Sequence, residues 1–265
     1  LSTKHPAMAE RLRQGDTILG TMLRMTRNPA IVKMAGDAGF DFVMLDLEHG
    51  DFTFNTVSDM ALVGRSLGIG VLMRVPELSK AYVSRALDCG IDGIMVPMLE
   101  TAEQARKLVD WARYAPQGKR GLATTGGMSG YTSPADTKTF MTESNQRVLV
   151  IAQIETVPAV EAIDEIASVD GIDVLLIGPN DLAVSLGKPG ELTSPEEDEA
   201  IAKVAEAAQR HGKVFAMHAG TEMLRRWADR DMRMIMNSMD IHAMRSGLSS
   251  LAEVTRQLAG QAVSS

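Results

Sequence analysis

The sequence predicts a single α/β domain of the (β/α)8 TIM-barrel class, and three observations lead there. Eight short apolar runs recur from end to end of the 265 residues. Amphipathic segments with helix start and stop signals lie between them. The length also suits one barrel, which takes about 250 residues. A doubly wound open sheet is the alternative. However, no G-x-G-x-x-G follows the first run, and eight alternations favour closure.

In order, the runs are TILGTML (17–23), DFVMLDLE (41–48), GVLMRV (70–75), GIMVPM (93–98), VLVIAQIE (148–155), DVLLIG (173–178), KVFAMH (213–218) and MRMIMN (232–237). They are continuous rather than alternating, as strands covered on both faces are. Asn28-Pro29 sets a capping residue and a first-turn proline ahead of AIVKMAGDAG. Thr101 with Gln104 matches a capping box ahead of ARKLVDWARY. Ser194-Pro195 opens a long helix that Gly212 ends, just after Arg210 and His211. Residues 116–147, PQGKRGLATTGGMSGYTSPADTKTFMTESNQR, break the rhythm as a long connection rich in Gly, Thr and Ser. Such connections are either functional or surface excursions. The eighteen methionines are scattered through the apolar runs and read as core filler. With no internal repeat and no linker, one domain spans 1–265.

Composition narrows the function. The chain is 45% hydrophobic and 23% charged, which supplies a real core and a polar surface. A net charge of −7, without a long basic stretch, argues against a nucleic-acid partner. The lone Cys89 leaves no intramolecular disulfide and fits a reducing, cytoplasmic setting. No apolar run reaches about 18 residues and no charged-then-apolar leader opens the chain, so neither a membrane partner nor export is expected.

In such a barrel, chemistry sits where strands end, at the C-terminal face. The polar residues there are Asp46-Leu47-Glu48-His49-Gly50 after the second run, Arg74 in the third, Gln153-Ile154-Glu155 ending the fifth, and Gly178-Pro179-Asn180-Asp181 after the sixth. Alternation puts Gln153 and Glu155 on one face, as it does Asp46 and Glu48. The fifth and sixth strands are neighbours, so Glu155 and Asp181 can converge, with Gln153 beside them. That makes a hard oxygen site suited to Mg²⁺ or Mn²⁺, the rest of the shell being water or substrate. Helix caps or partners of surface lysines are the plainer reading of the same acids. The turn at 178–181 leaves the N–H groups of Asn180 and Asp181 free for a small carboxylate, or it is an ordinary turn capped by Asp181.

His49 is flanked by acids, and Asp46 or Glu48 could orient its ring and raise its basicity, as a general base requires. Arg74 could form a structural ion pair with Asp46 or Glu48, or stabilise an oxyanion. Of the other histidines, His5 lies in a tail, His211 near a helix end and His242 on a helix. His218 ends the seventh run and is a weak candidate. No lysine ends a motif-bearing run, and Lys213 opens the seventh on the opposite rim. That argues against a Schiff-base mechanism, which needs a lysine in the pocket.

Taken together, DFVMLDLEHG, VLMRVP, IMVPMLETAEQA, RYAPQGKRG, QIET and DVLLIGPNDLAVSLG resemble, in order and spacing, the HpcH/HpaI aldolases, the metal-dependent class II pyruvate aldolases. The likeness runs from about residue 15 to 190 and is weaker to about 255. It implies a barrel of the phosphoenolpyruvate/pyruvate type, assembled as a homo-hexamer with the last helix (about 241–260) exchanged between subunits. It assigns Glu155 and Asp181 to a divalent metal (Mg²⁺, Mn²⁺ or Co²⁺). Gln153 falls beside the metal and the keto oxygen, and His49 with Asp46 takes on proton transfer. Arg74 inherits enolate stabilisation, and the amides of Asn180 and Asp181 the pyruvate carboxylate, with Glu48 among the substrate-binding residues.

The implied reaction is reversible cleavage of a 4-hydroxy-2-oxo acid into pyruvate and an aldehyde through a pyruvate enolate. A decarboxylase of oxaloacetate-like acids is the rival on the same site. A non-catalytic carboxylate-binding barrel is the rival from another class, and a CoA-ester lyase lacks a nucleotide-binding feature. Two departures stand out. RGLATTGGMSGY is small and neutral from Gly121 to Tyr131, where the family often has an arginine, which puts in doubt an acceptor aldehyde with a far carboxylate. Asn237-Ser238-Met239-Asp240 stands where the family commonly has a glycine before the aspartate.

Overall fold

The eight apolar runs become eight parallel strands in a computed structural model that describes residues 7–260. His5 lies outside the described residues. The strands are β1 (Ile18–Leu23), β2 (Phe42–Asp46), β3 (Gly70–Arg74), β4 (Gly93–Val96), β5 (Leu149–Ile154), β6 (Val174–Ile177), β7 (Val214–Ala219) and β8 (Met232–Met239). They pair in sequence order, and β8 returns to β1, so the barrel is closed and the open-sheet alternative falls.

The unbroken apolar runs follow from burial on two sides. One set of side chains points out under the helices, among them Val43, Leu45, Val71, Met73, Val150 and Leu175. The intervening set fills the barrel, including Met22, Phe42, Met44, Leu72, Met95, Ile151, Leu176, Met234 and Met236. Methionine is prominent inside, where a flexible thioether fits an irregular tapering space. Helix α1 (Met8–Arg13) closes the bottom with Met8, Ala9 and Leu12. Gly70 admits it, since a Cβ there would lie 2.3 Å from the Met8 methyl.

The capping box at Thr101 and the start at Ser194 act as expected, whereas the helix after β1 begins one residue later than the sequence suggests, with Pro29 at its N-cap position. The helices are α2 (Ala30–Asp37), α3 (Phe54–Leu67), α4 (Lys80–Asp88), α5 (Ala102–Ala112), α6 (Thr137–Arg147), α7 (Val157–Glu161), α8 (Ile163–Ala167), α9 (Pro179–Ser185), α10 (Pro195–Arg210), α11 (Thr221–Trp227) and α12 (Asp240–Leu258). Thr101 and Gln104 form the capping box of α5, with both hydrogen bonds present. The Asn28 side chain accepts from the Ala30 N–H. Ser194 accepts from the Glu197 N–H at the head of α10, and Gly212 follows its end at φ 63°.

Residues 116–147 are more ordered than their composition suggests. Their last eleven residues are α6, capped by Asp136. The Gly-rich part makes a short 3-10 turn at Gly127–Ser129. Gly127 packs so closely on Cys89, after α4, that a Cβ there would sit 2.2 Å from the Cys89 carbonyl oxygen. Arg147 and Arg65 reach the Met128 carbonyl. The segment joins the end of α5 to the start of β5, so within one chain it lies on the N-terminal rim, opposite the strand ends. The last helix behaves differently. Ile241, Met244, Leu248, Leu251, Val254 and Leu258 of α12 are exposed and repeat every three or four residues along one face. Among the described residues, no helix is long and apolar enough to cross a membrane.

Candidate active site

Strand alternation turns polar at the top of the barrel. On β2 the inward positions Phe42 and Met44 are followed by Asp46, and on β3 Leu72 is followed by Arg74. Ile151 is followed by Gln153, Ala216 by His218, and Met236 by Ser238. A polar layer thus lies directly on the apolar filling of the barrel, and buried polar groups of this kind must be paired.

Asp46 and Arg74 pair at the same strand level, where their Cα atoms are partners in the sheet. Arg74 donates from Nε to Asp46 Oδ1 (2.9 Å) and from Nη2 to Oδ2 (2.7 Å), a two-pronged contact. Its Nη1 lies 2.8 Å from Glu48 Oε2. Asp46 also accepts from Arg24 Nε (2.6 Å) and from the backbone N–H groups of Glu48 and His49. Burial alone would raise the proton affinity of Asp46. The hydrogen bonds and charge of Arg74, with the charge of Arg24, outweigh it and hold the carboxyl below its usual range. Glu48 moves the other way, because burial outweighs Arg74 there.

His49 stands at the rim with a half-exposed ring. Its Nε2 is 3.9 Å from Glu48 Oε2, whereas Asp46 meets only its backbone. Of the two acids expected beside the imidazole, Glu48 is therefore the nearer to the ring in this structure.

Glu155 sits across the barrel mouth, just past β5, and is only 2% exposed. Its Oε1 accepts from the Met98 N–H (2.8 Å), and its Oε2 accepts from Gln153 Nε2. Met98 reaches it by taking the left-handed conformation, φ 54°, in the loop after β4. Burial, with the neighbouring charges of Asp181 and Glu48, pushes the Glu155 carboxyl up to about 7. Gly178 makes room for this cluster: a Cβ there would lie 2.4 Å from Glu155 Oε2 and 2.8 Å from Gln153 Nε2. Asp181 is exposed in the first turn of α9, which follows β6, the neighbour of the strand that Glu155 ends. The first hydrogen bond of that turn runs from the Leu182 N–H to the Gly178 carbonyl (3.0 Å). The N–H groups of Asn180 and Asp181 thus precede the helical ladder.

The residues fit a divalent cation. Gln153 Oε1 is buried with no hydrogen-bond partner. A desolvated Glu155 faces Asp181 with no cationic side chain bonded to it. Glu155 and Asp181 offer two carboxylates there, and no group of three or more His, Cys, Asp or Glu side chains placed to hold a metal is found among the described residues. That donor set suits a hard ion whose shell is completed by water or substrate.

The structure brings Asp46, Glu48, His49 and Arg74 into one group, and Gln153, Glu155, Asn180 and Asp181 into another across the same mouth. Lys213 is elsewhere: its Nζ donates to the Val169 and Ile172 carbonyls (3.0 Å each) at the N-terminal rim. Three contributors escaped the sequence reading. Arg24 closes the first apolar run just as Arg74 closes the third, and that signal was available. Asp240, 7% exposed, accepts from the N–H groups of Arg24, Met25 and Thr26 (3.0, 3.0 and 2.7 Å), so it clamps the loop after β1. Ser238 takes φ 59°, the left-handed region that favours glycine. His218 Nε2 donates to the Ser238 carbonyl (2.9 Å) and helps hold that bend, and burial lowers the proton affinity of the ring.

Comparison with known proteins gives the fold and the family. Residues 22–245 match the family model for HpcH/HpaI aldolase/citrate lyase. The 5-keto-4-deoxy-D-glucarate aldolase of Klebsiella pneumoniae is 32% identical over 233 residues, covering 87% of this chain and 89% of that protein. The crystal structure of an HpcH/HpaI aldolase from Desulfitobacterium hafniense superposes with a TM-score of 0.90 at 32% identity, over 95% of this chain and 97% of that one. The citrate synthase SbnG superposes with a TM-score of 0.86 at 26% identity, over 96% of this chain and 99% of its own. The chain belongs to the HpcH/HpaI aldolase/citrate lyase family, a family of carbon–carbon lyases.

Proposed function

We propose that this protein is a divalent-metal-dependent aldolase that reversibly cleaves a 4-hydroxy-2-oxo acid into pyruvate and an aldehyde. The observation that supports this most directly is the buried Glu155 facing Asp181, with Gln153 Oε1 unpartnered beside it and Arg74 across the mouth. Glu155 and Asp181 would hold the cation, Mg²⁺ or Mn²⁺, which when bound polarises the 2-oxo group of the substrate.

The remaining chemistry belongs to the chain. The N–H groups of Asn180 and Asp181 receive the carboxylate of the oxo acid. Gln153 fixes Glu155 through its amide N–H and offers its Oε1 to a water or hydroxyl. Arg74 is held rigid by Asp46 and Glu48, so its charge is already in place when negative charge develops on the enolate oxygen. His49, with Glu48 near its ring, removes the proton of the C4 hydroxyl through a water as the C3–C4 bond breaks, and the enolate that is left takes a proton at C3 to become pyruvate. In the reverse direction His49 returns the hydroxyl proton. The exposed apolar face of α12 supports a homo-oligomer in which this helix packs on a neighbouring subunit.

The test is proton NMR of pyruvate in D₂O with metal-stripped protein, then with Mg²⁺ or Mn²⁺ restored, and Glu155→Ala as control. Metal-dependent loss of the methyl signal that the control lacks is expected. Wild-type metal content and exchange in the Glu155→Ala protein would overturn the assignment.

A further inference from the structure

Asp46 is fully buried, and both of its oxygens are shared among several donors. Oδ1 accepts from Arg74 Nε (2.9 Å) and from the N–H groups of Glu48 and His49 (3.1 and 3.3 Å). Oδ2 accepts from Arg74 Nη2 (2.7 Å) and from Arg24 Nε (2.6 Å). One carboxylate thus ties together the guanidinium at the end of β3, the turn after β2 that carries His49, and Arg24, the first residue after β1.

Charge explains the second arginine. Arg74 faces two acids, Asp46 and Glu48; it and Asp46 are buried, and Glu48 is partly so. One positive charge against two negative ones leaves an excess negative charge beside the place where an enolate would form. Such an excess is costly under burial and opposes a further negative charge. Arg24 cancels it through the oxygen it shares with Arg74.

The place of Arg24 is built as firmly. The N–H groups of Arg24, Met25 and Thr26 all donate to the Asp240 carboxylate at the head of α12. Asp240 follows the bend at Ser238, whose carbonyl accepts from His218 Nε2 on β7. The stem of the Arg24 side chain is therefore fixed from the far edge of the sheet closure, and a fixed stem holds its partner at a lower ordering cost. The side chain itself is 27% exposed and belongs to neither apolar cluster, so replacing it leaves the core packing in place.

We infer that Arg24 is a positioning residue for the lyase reaction: through Asp46 it balances the charge around Arg74 and steadies both Arg74 and the turn that carries His49, without touching the substrate. This rests on the lyase reading above, and its test is chosen to fail separately.

The experiment follows exchange of the pyruvate methyl protons in D₂O by the Mn²⁺-loaded protein, read as kcat and KM. Wild type, Arg24→Met, Arg24→Lys, Asp46→Asn and the Arg24→Met/Asp46→Asn double variant are compared, with far-UV circular dichroism as the check on folding. Arg24→Met is expected to lower kcat by about 10–100-fold, the scale for disturbing a supporting contact, with KM for pyruvate close to wild type. Arg24→Lys, which restores the charge, should recover part of the loss. Once Asp46 is neutral there is no charge left to balance, so adding Arg24→Met should then cost far less than it does alone. If Arg24→Met does not fold, Arg24→Gln replaces it in each comparison. Wild-type kcat in the folded variant overturns the inference. A raised KM with kcat kept does so too, since Arg24 would then hold the substrate itself, and so does a loss that adds in full to that of Asp46→Asn. Wild-type protein that exchanges no pyruvate protons overturns the lyase reading, and this inference with it.

Discussion

Replacing Gly178 with alanine isolates the geometry of Glu155. At φ −104° and ψ 88° the backbone there is open to any residue, so the substitution adds no conformational strain. What it adds is one methyl group at 2.4 Å from Glu155 Oε2, 2.8 Å from Gln153 Nε2 and 3.0 Å from Glu155 Cβ. Ordinary contact begins near 3.4 Å, so the carboxylate must retreat by about 1 Å. That retreat breaks or weakens its bonds from the Met98 N–H and Gln153. A hydrogen bond to a charged group is worth about 1.5–3 kcal/mol. Losing one such restraint corresponds to roughly 10–100-fold weaker metal binding, the usual scale for disturbing a ligand's support. Isothermal titration with Mn²⁺ reads the change, and far-UV circular dichroism checks that the barrel is intact. A folded Gly178→Ala protein that binds Mn²⁺ like wild type would show that Glu155 is not where the ion goes.

Three further outcomes follow from the same contacts. Because Glu155 is pushed up to about 7 in the metal-free protein, metal binding should release about one proton at pH 6 and close to none at pH 8. Calorimetry in buffers of different ionisation enthalpy measures this, and equal release at both values would contradict it. Asp240→Asn should lower stability to urea by about 1.5–3 kcal/mol, since a neutral amide replaces an acceptor shared by three N–H groups. Burial alone would raise Asp240, but those N–H groups hold it below its usual range; its contribution is therefore complete above about pH 4 and lost only as pH falls through the lower folded value. The wild-type advantage should accordingly stay flat from pH 6 to 8 in the same urea titrations. Arg74→Lys should lower kcat for aldol cleavage by about 10²–10³ while far-UV circular dichroism stays native, because one ammonium cannot span Asp46 and Glu48 as the fork does. Near-wild-type kcat would remove Arg74 from the chemistry.

The sequence by itself determined the barrel. Eight continuous apolar runs can be satisfied only where both faces of each strand are covered, and the capping pairs at Thr101–Gln104 and Ser194–Pro195 mark where the chain turns. It also marked Asp46, Glu48, His49, Arg74, Gln153, Glu155 and Asp181, because a charge at the end of an apolar run is conspicuous and alternation says which of them share a face. Tertiary structure decided what adjacency in the chain cannot encode. That Asp46 serves Arg74, Arg24 and two backbone N–H groups, leaving Glu48 nearer the His49 ring, depends on β1, β2 and β3 lying side by side. That Asp240 fastens the loop of Arg24 depends on β8 closing against β1, 216 residues apart in sequence. Residues 116–147 looked like a candidate for the site by composition, yet within one chain they lie on the opposite rim. Composition carries no direction, whereas a parallel barrel sends every strand end to one face and every helix-to-strand connection to the other.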